Sequence, residues 1–222
     1  LAWESSDMLT ASIRNMVSGQ VHAIDFMRES GGRSVRTEIR LHRQAASASN
    51  HVLQVVHHGP SAPGIRYRIM EVRASSLRSH IEEGMGVDDD RFWRWSSQIA
   101  RAVADIHHIG VIHLAIQARL SNAALFSSNH HKGCLAPSPR RAQPENIWLT
   151  ESDEVRVGMF HRACEELEAT THRPYERVED EPVYHAPEAA KGDFFFASDM
   201  YSVGVLLCEL ATGKLPSDEL VN

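Results

Sequence analysis

Cysteine is scarce in this chain of 222 residues: Cys134, Cys164 and Cys208 are too few and too scattered for a disulfide framework or a four-ligand zinc site. Such thin use suits a reducing compartment. A basic excess is missing too. Lys plus Arg number 23 against 29 Asp plus Glu, a net charge of −6, so the overall electrostatic footprint of a nucleic-acid binder is lacking. No lysine precedes Lys132. No apolar run approaches the roughly 18 residues of a membrane span. The best, Tyr201 to Leu210, is short and carries Ser202, Gly204 and Glu209. The opening LAWESSDML has no basic start before an apolar block, so it does not read as a signal peptide, and its first residue, Leu1, suggests a processed start or a fragment. What is present, 42% apolar and 23% charged residues, is ample for a packed core and excludes a disordered tail or a collagen-like chain.

The first 70 or so residues read as short strands with one helix. Val21–Met27 is a strand after the turn signal Ser18-Gly19, and Ser34–Gln44 a short helix with Val35, Ile39 and His42 on one face. His51–His57 and Ile65–Val72 read as strands joined by GPSAPG. Ser75–Glu83 is a short helix. Asp88–Asp90 then cap a long amphipathic helix with Phe92, Ile99, Val103 and Ile106 on one face, Trp95 and Ala100 beside them, and a stop at Gly110. Ala197–Thr212 reads as a buried helix closed by Gly213. Strands first and helices after predict an α+β, two-lobed architecture, with residues 1–72 in a β-rich lobe and 73–222 in a helical one. Residues 118–143 stand apart. These 26 residues carry Arg119, Lys132, Arg140 and Arg141 and no acid, and hold no periodicity, which reads as a disordered loop.

Excising that segment joins VIHLAIQ to PENI, and V-I-H-L-A-I-Q-P-E-N-I resembles the catalytic loop H-R-D-L-K-P-E-N of the Ser/Thr protein kinases. Four further stretches fall in the family's order: VHAID at the V-A-I-K strand, Glu38 at the ion-pair position of the next helix, VGMF at the D-F-G site, and YHAPE before the supporting helix SDMYSVGVLLCELATGKLP. The resemblance spans nearly the whole chain and implies a small β-rich lobe and a helical lobe whose last helices lie beyond residue 222.

By that resemblance, the phosphate- and metal-handling residues are replaced. Asp25 stands where a Lys grips the α- and β-phosphates, leaving Glu38 facing an acid; Arg28 is a conceivable substitute cation. Ala115 stands at the catalytic base, Leu114 and Gln117 at the neighbouring Arg and Lys, Met159 at the metal-binding Asp, and His161 at the D-F-G glycine. A thioether is a poor ligand for Mg²⁺, which wants oxygen. A gap-free count puts Trp3, Ser5 and Met8 at the three glycines of the phosphate loop and Thr10 at its valine. Glu181 replaces a substrate-positioning Thr. Retained are Asn146 at the second-metal position and Ala23, Glu38, Met70 and Glu71 around the nucleotide pocket. Among packing positions, His113 and Phe160 belong to an internal hydrophobic column, Asp199 braces the catalytic loop, and Glu188 is a buried acid whose Arg partner lies in a later helix.

Loss of the chemical residues beside survival of the packing residues favours a pseudokinase: an inactive protein-binding scaffold or allosteric regulator, with no cofactor, whose partners are proteins such as an active kinase or its substrate, and with neither nucleic acid nor a membrane span. The alternative is a divergent active Ser/Thr kinase that transfers the ATP γ-phosphate to protein hydroxyls, with ATP and Mg²⁺, through displaced acids such as Asp88–Asp90, Glu71 or Asp153. A third reading takes residues 118–143 as a translated intron, with a genuine surface loop as its rival. Thr170 and Thr171 are candidate phosphorylation sites, Trp93 or Trp95 a candidate partner surface, and the adjacent histidine pairs a weak hint of metal.

Overall fold

A computed structural model describes residues 8–29, 34–71, 74–82, 87–116, 146–166 and 182–216. Strand β1 (Met8–Arg14) and strand β2 (Val21–Arg28) form a hairpin. Its turn is made by Asn15, whose side chain accepts from the backbone N–H groups of Val17 and Ser18, and by Gly19 at φ 73°. Helix α1 (Val35–Ala48) follows, burying Val35, Ile39, Leu41, His42, Ala45 and Ala46, so the helical face extends a turn beyond the expected Gln44.

Strand β3 (Val55–Ala62) and strand β4 (Ile65–Met70) complete an antiparallel sheet of order β1-β2-β4-β3. Residues expected as a connecting loop, Gly59 to Ala62, lie inside β3. Two features permit this. Pro60 sits on an edge strand, where a missing N–H is tolerated. Gly59 lets the Tyr67 ring close in, since a β-carbon there would stand 3.2 Å from the ring.

Strand β5 (Ser75–Ser76) takes the first residues of the expected helix, leaving helix α2 as Leu77–Glu82. Helix α3 (Asp89–His108) is capped by Asp88, whose carboxylate accepts from the Arg91 N–H at 2.8 Å, with Asp89 and Asp90 at the positive end of the helix dipole. It buries Trp95, Ile99, Ala102, Val103 and Ile106, whereas Ala100, expected beside this face, is exposed. Strand β6 (Val111–Ile112) leads to residues 113–116. Strand β7 (Ile147–Leu149) and strand β8 (Val155–Val157) form a three-stranded sheet with β5, while β6 pairs with strand β9 (Cys164–Glu165).

Helix α4 (Phe196–Thr212) ends at Gly213, φ 68°. It is not buried all round: Val203, Val205, Leu206 and Leu210 face the core, and Gly204, Cys208 and Ala211 face outward. The largest core joins α1, α3, β7, β8 and α4. The architecture is α+β, a small antiparallel sheet followed by helices, in the two-lobed kinase-like arrangement. Among the described residues no helix is long and apolar enough to cross a membrane.

Candidate functional site

Strand pairing decides the centre of the cleft. Asp25 of β2 lies opposite Thr10 of β1 and Arg68 of β4. Both Asp25 and Arg68 are fully buried. Arg68 Nε donates to Asp25 Oδ2 at 3.0 Å, and Nη2 approaches the same oxygen at 2.9 Å. Thr10 Oγ1 donates to Asp25 Oδ1 at 2.7 Å. The far side of the guanidinium reaches α1, where Nη1 donates to Glu38 Oε1 at 2.6 Å, and Nη2 meets the Met159 sulfur at 3.4 Å. Burial by itself works against the Arg68 charge. The Glu38 and Asp25 carboxylates outweigh it and raise its pKa.

The expectation that Glu38 faces an acid without a cation is therefore corrected. The cation comes neither from position 25 nor from Arg28, which ends β2 on the exposed side, but from the adjacent strand. One planar fork serves both carboxylates, which a lysine point charge does less well. Met8 also has a packing role, against Met27, Val35 and Ile39 beneath α1, and Ala23 and Met70 pair in register and pack with Leu53.

The lower wall of the cleft is built from backbone. Asp199, at the start of α4 and fully buried, accepts from the His113 N–H through Oδ2 and the Leu114 N–H through Oδ1, both at 2.7 Å. His107 of α3 approaches Oδ2 at 2.9 Å. His113 Nδ1 accepts from the Ala115 N–H, so Nε2 carries the proton and donates to the Gly158 carbonyl at 3.0 Å. Burial, against the opposing pull of Asp199, pushes the His113 pKa down to about 4, and the imidazole is neutral. Its ring meets Phe160 edge-on at 4.7 Å, and Phe160 stacks on His42 of α1, whose Nε2 lies 2.8 Å from the Leu53 carbonyl. His42 and Leu53 thus continue the column that His113 and Phe160 begin.

Asn146 donates its amide to the Ala115 carbonyl at 2.7 Å, tying together the chain on either side of residues 117–145. Its Oδ1 is buried without a partner among the described residues. Leu114 (φ 58°) and Met159 (φ 63°), each next in the chain to a member of the His113–Gly158 hydrogen bond, hold left-handed backbone at about 1–2 kcal/mol each for a side-chain-bearing residue.

The other acids are engaged elsewhere. Glu71 accepts from the Gln54 N–H and faces Arg156 at 3.2 Å. Asp88 caps α3, and Asp153 pairs with Arg91 and Arg94. Glu188 is only half-buried and accepts from the Ser198 hydroxyl at 2.9 Å, which corrects the expectation of a buried acid lacking a partner. Trp95 is buried and Trp93 exposed. Trp3, Ser5, Gln117, Thr170, Thr171, Glu181 and the segment 118–143 lie outside the described residues.

No protein-family model matches the chain. Curated relatives do. It is 28% identical over 69% of its length to a probable serine/threonine-protein kinase of Clostridium acetobutylicum, covering 20% of that protein. It is 28% identical over 82% of its length to the serine/threonine-protein kinase pkn3 of Myxococcus xanthus, covering 31% of it. Over 36% of its length it is 38% identical to the serine/threonine-protein kinase GIN4 of Saccharomyces cerevisiae, covering 7% of it. The chain is protein-kinase-like. It spans a third or less of the length of these kinases. Within the kinase-like cleft, sequence reasoning missed Arg68. Its signal was there: in I-R-Y-R-I-M strand alternation places Arg68 on the same face as Met70, a position already assigned to the pocket.

Proposed function

We propose that this kinase-like domain does not transfer phosphate and acts by binding proteins, as a scaffold or allosteric regulator. The observation that carries the reading is the saturated state of Arg68. The one buried guanidinium among the described residues at the expected phosphate grip is held by Asp25, Glu38 and the Met159 sulfur. Two carboxylates and one guanidinium leave a local charge of −1, which repels a polyphosphate. At the expected base position the Ala115 methyl group cannot take a proton, and at the expected metal position Met159 offers sulfur where Mg²⁺ prefers oxygen. These residues do not fit Mg²⁺–ATP. The column through His113, Phe160 and His42 supports a domain kept for its shape.

The test is an in vitro assay with radiolabelled ATP and a mixed protein substrate, paired with thermal melting in ATP with and without Mg²⁺. The expected result is background incorporation and no Mg²⁺-dependent rise in melting temperature. Incorporation that is lost on Asn146→Ala defeats the proposal in favour of a divergent active kinase.

A further inference from the structure

The sheet of order β1-β2-β4-β3 has two edges, and they are guarded differently. Along β3 the pairing slips twice, between Val55 and His57 and between Pro60 and Ala62, and Pro60 removes a donor. Bulges and proline are common means of blunting an edge. Strand β1 has neither. Its register with β2 runs unbroken from Met8 to Arg14. It holds no proline, glycine or lysine, and its one charge, Arg14, stands at the end. Among the described residues no strand pairs with its outer side.

Strand alternation fixes what that side offers. The Asn15 N–H donates to the Gln20 carbonyl at 2.8 Å, so Ile13, Ala11 and Leu9, counted back in steps of two, are the residues that bond to β2. The backbone groups of Thr10, Ser12 and Arg14 therefore turn outward, and these three residues are exposed. Side chains alternate as well. Thr10 and Met8 lie on the α1 side of the sheet, against Asp25 and Met27. Leu9, Ala11 and Ile13 thus lie on the opposite side, with Leu9 in line with Phe26 and Ala11 with Ile24 of β2.

We infer that β1 docks a second copy of this chain, antiparallel and centred on Ala11, which joins the two sheets into one. The run L-T-A-S-I selects this occupant, because it is complementary to itself. About a two-fold axis through Ala11, Leu9 of each copy faces Ile13 of the other, and Thr10 faces Ser12. The outward N–H and C=O groups of Thr10 meet those of Ser12 as hydrogen-bonded pairs. Ala11 meets itself at a position without backbone bonds, where Cα atoms lie about 4.5 Å apart. Leu9 with Ile13 puts apolar against apolar, Thr10 with Ser12 pairs hydroxyls, and no like charges oppose one another. A slip of one residue would set Leu9 against Ser12 and turn one sheet face over. The contact uses one patch twice and so closes as a dimer. This inference goes beyond the reading above and does not depend on it, since phosphate transfer, present or absent, leaves the edge unchanged.

The test is sedimentation velocity of the full chain over rising concentration, unsubstituted and as Ala11→Lys, Ala11→Glu and Ser12→Pro, with melting temperatures measured alongside. The unsubstituted chain is expected to form a reversible dimer. Ala11→Lys and Ala11→Glu are each expected to weaken it at least roughly tenfold, because like charges then meet across the axis, with the melting temperature unchanged. An equimolar mixture of the two is expected to restore the dimer. Ser12→Pro removes an outward donor and none that β2 uses, and is expected to weaken the dimer likewise. Ala11→Cys is expected to give a disulfide-linked dimer under mild oxidation, at least roughly tenfold faster than Val17→Cys at the exposed hairpin turn. A chain that stays monomeric at every concentration overturns the proposal, the edge then being open or covered by the chain's own first residues. So does a dimer that Ala11→Lys leaves intact, or a mixture of the Lys and Glu variants that remains monomeric.

Discussion

Two buried carboxylates, Asp25 and Asp199, sit on opposite walls of the same cleft, and their oxygens are satisfied in different ways. Asp199 takes backbone N–H groups from His113 and Leu114 together with His107. Its partners belong to the path of the chain. Asp25 takes side chains, Arg68 from β4 and Thr10 from β1. Side-chain partners can be exchanged by substitution, whereas a backbone donor changes only when the fold does. The lower wall is thereby tied to the architecture. The upper wall can be rewritten in charge while its geometry persists, provided that a cation enters from a neighbouring strand.

The comparison breaks most visibly at Arg68. Arg68→Met strands two carboxylates around a buried centre and is expected to destabilise by about 3–5 kcal/mol, read from urea or guanidinium unfolding. Replacing the whole set, Asp25→Leu/Glu38→Met/Arg68→Met, is expected to recover most of that loss, because well-packed apolar residues commonly match a buried ion set. Recovery would confirm that the upper wall is exchangeable; none would show that it is as fixed as the lower.

Asp199→Asn retains the shape but turns one of the two accepting oxygens into an NH2 group that faces a backbone N–H, and is expected to lose about 2–3 kcal/mol. No compensating side chain is expected to rescue it.

A pH titration sharpens the lower wall when it is read as a difference between the His113 variant and the unsubstituted chain, since burial also lowers the pKa of His161 and His185. The unfolded chain takes up a proton on His113 below about pH 6.5, and the folded protein refuses it until about pH 4, so stability falls as the pH drops through that window. A shift from 6.5 to about 4 corresponds to roughly 3 kcal/mol at full extent. His113→Phe, compared with the unsubstituted chain between pH 7 and 4, is expected to flatten the slope by that amount.

The smallest effect is the reference for the others. Arg101 and Asp105 pair at 3.1 Å on the outside of α3, and Arg101→Ala is expected to change stability by less than about 0.5 kcal/mol.

Much of this was legible in the chain itself. The Asp88–Asp90 cap, the Trp95–Ile106 face and the glycines after α3 and α4 are local signals, and the structure has them within a residue or two. Asp25, Ala115 and Met159 were expected at the site because motif order survives replacement of the motif's own residues. What escaped was pairing between segments distant in sequence. Arg68 meets Asp25 across 43 positions and Glu38 across 30, and only strand register brings them together. Ser198, partner of Glu188, was hidden because a serine in the first turn of a helix reads as a capping residue. The inclusion of Gly59–Ala62 in β3 depended on an edge position that turn-residue statistics do not see.

The facing of Asp25 and Arg68 across β2 and β4 also constrains the routes by which this cleft can change. A lysine introduced at position 25 would arrive beside a guanidinium already buried there, two like charges in a space that holds one. Removing Arg68 beforehand would leave the pair of acids exposed to each other. Either single step passes through a poorly folded intermediate, so the two positions must change together, and the pair works as a ratchet against stepwise exchange.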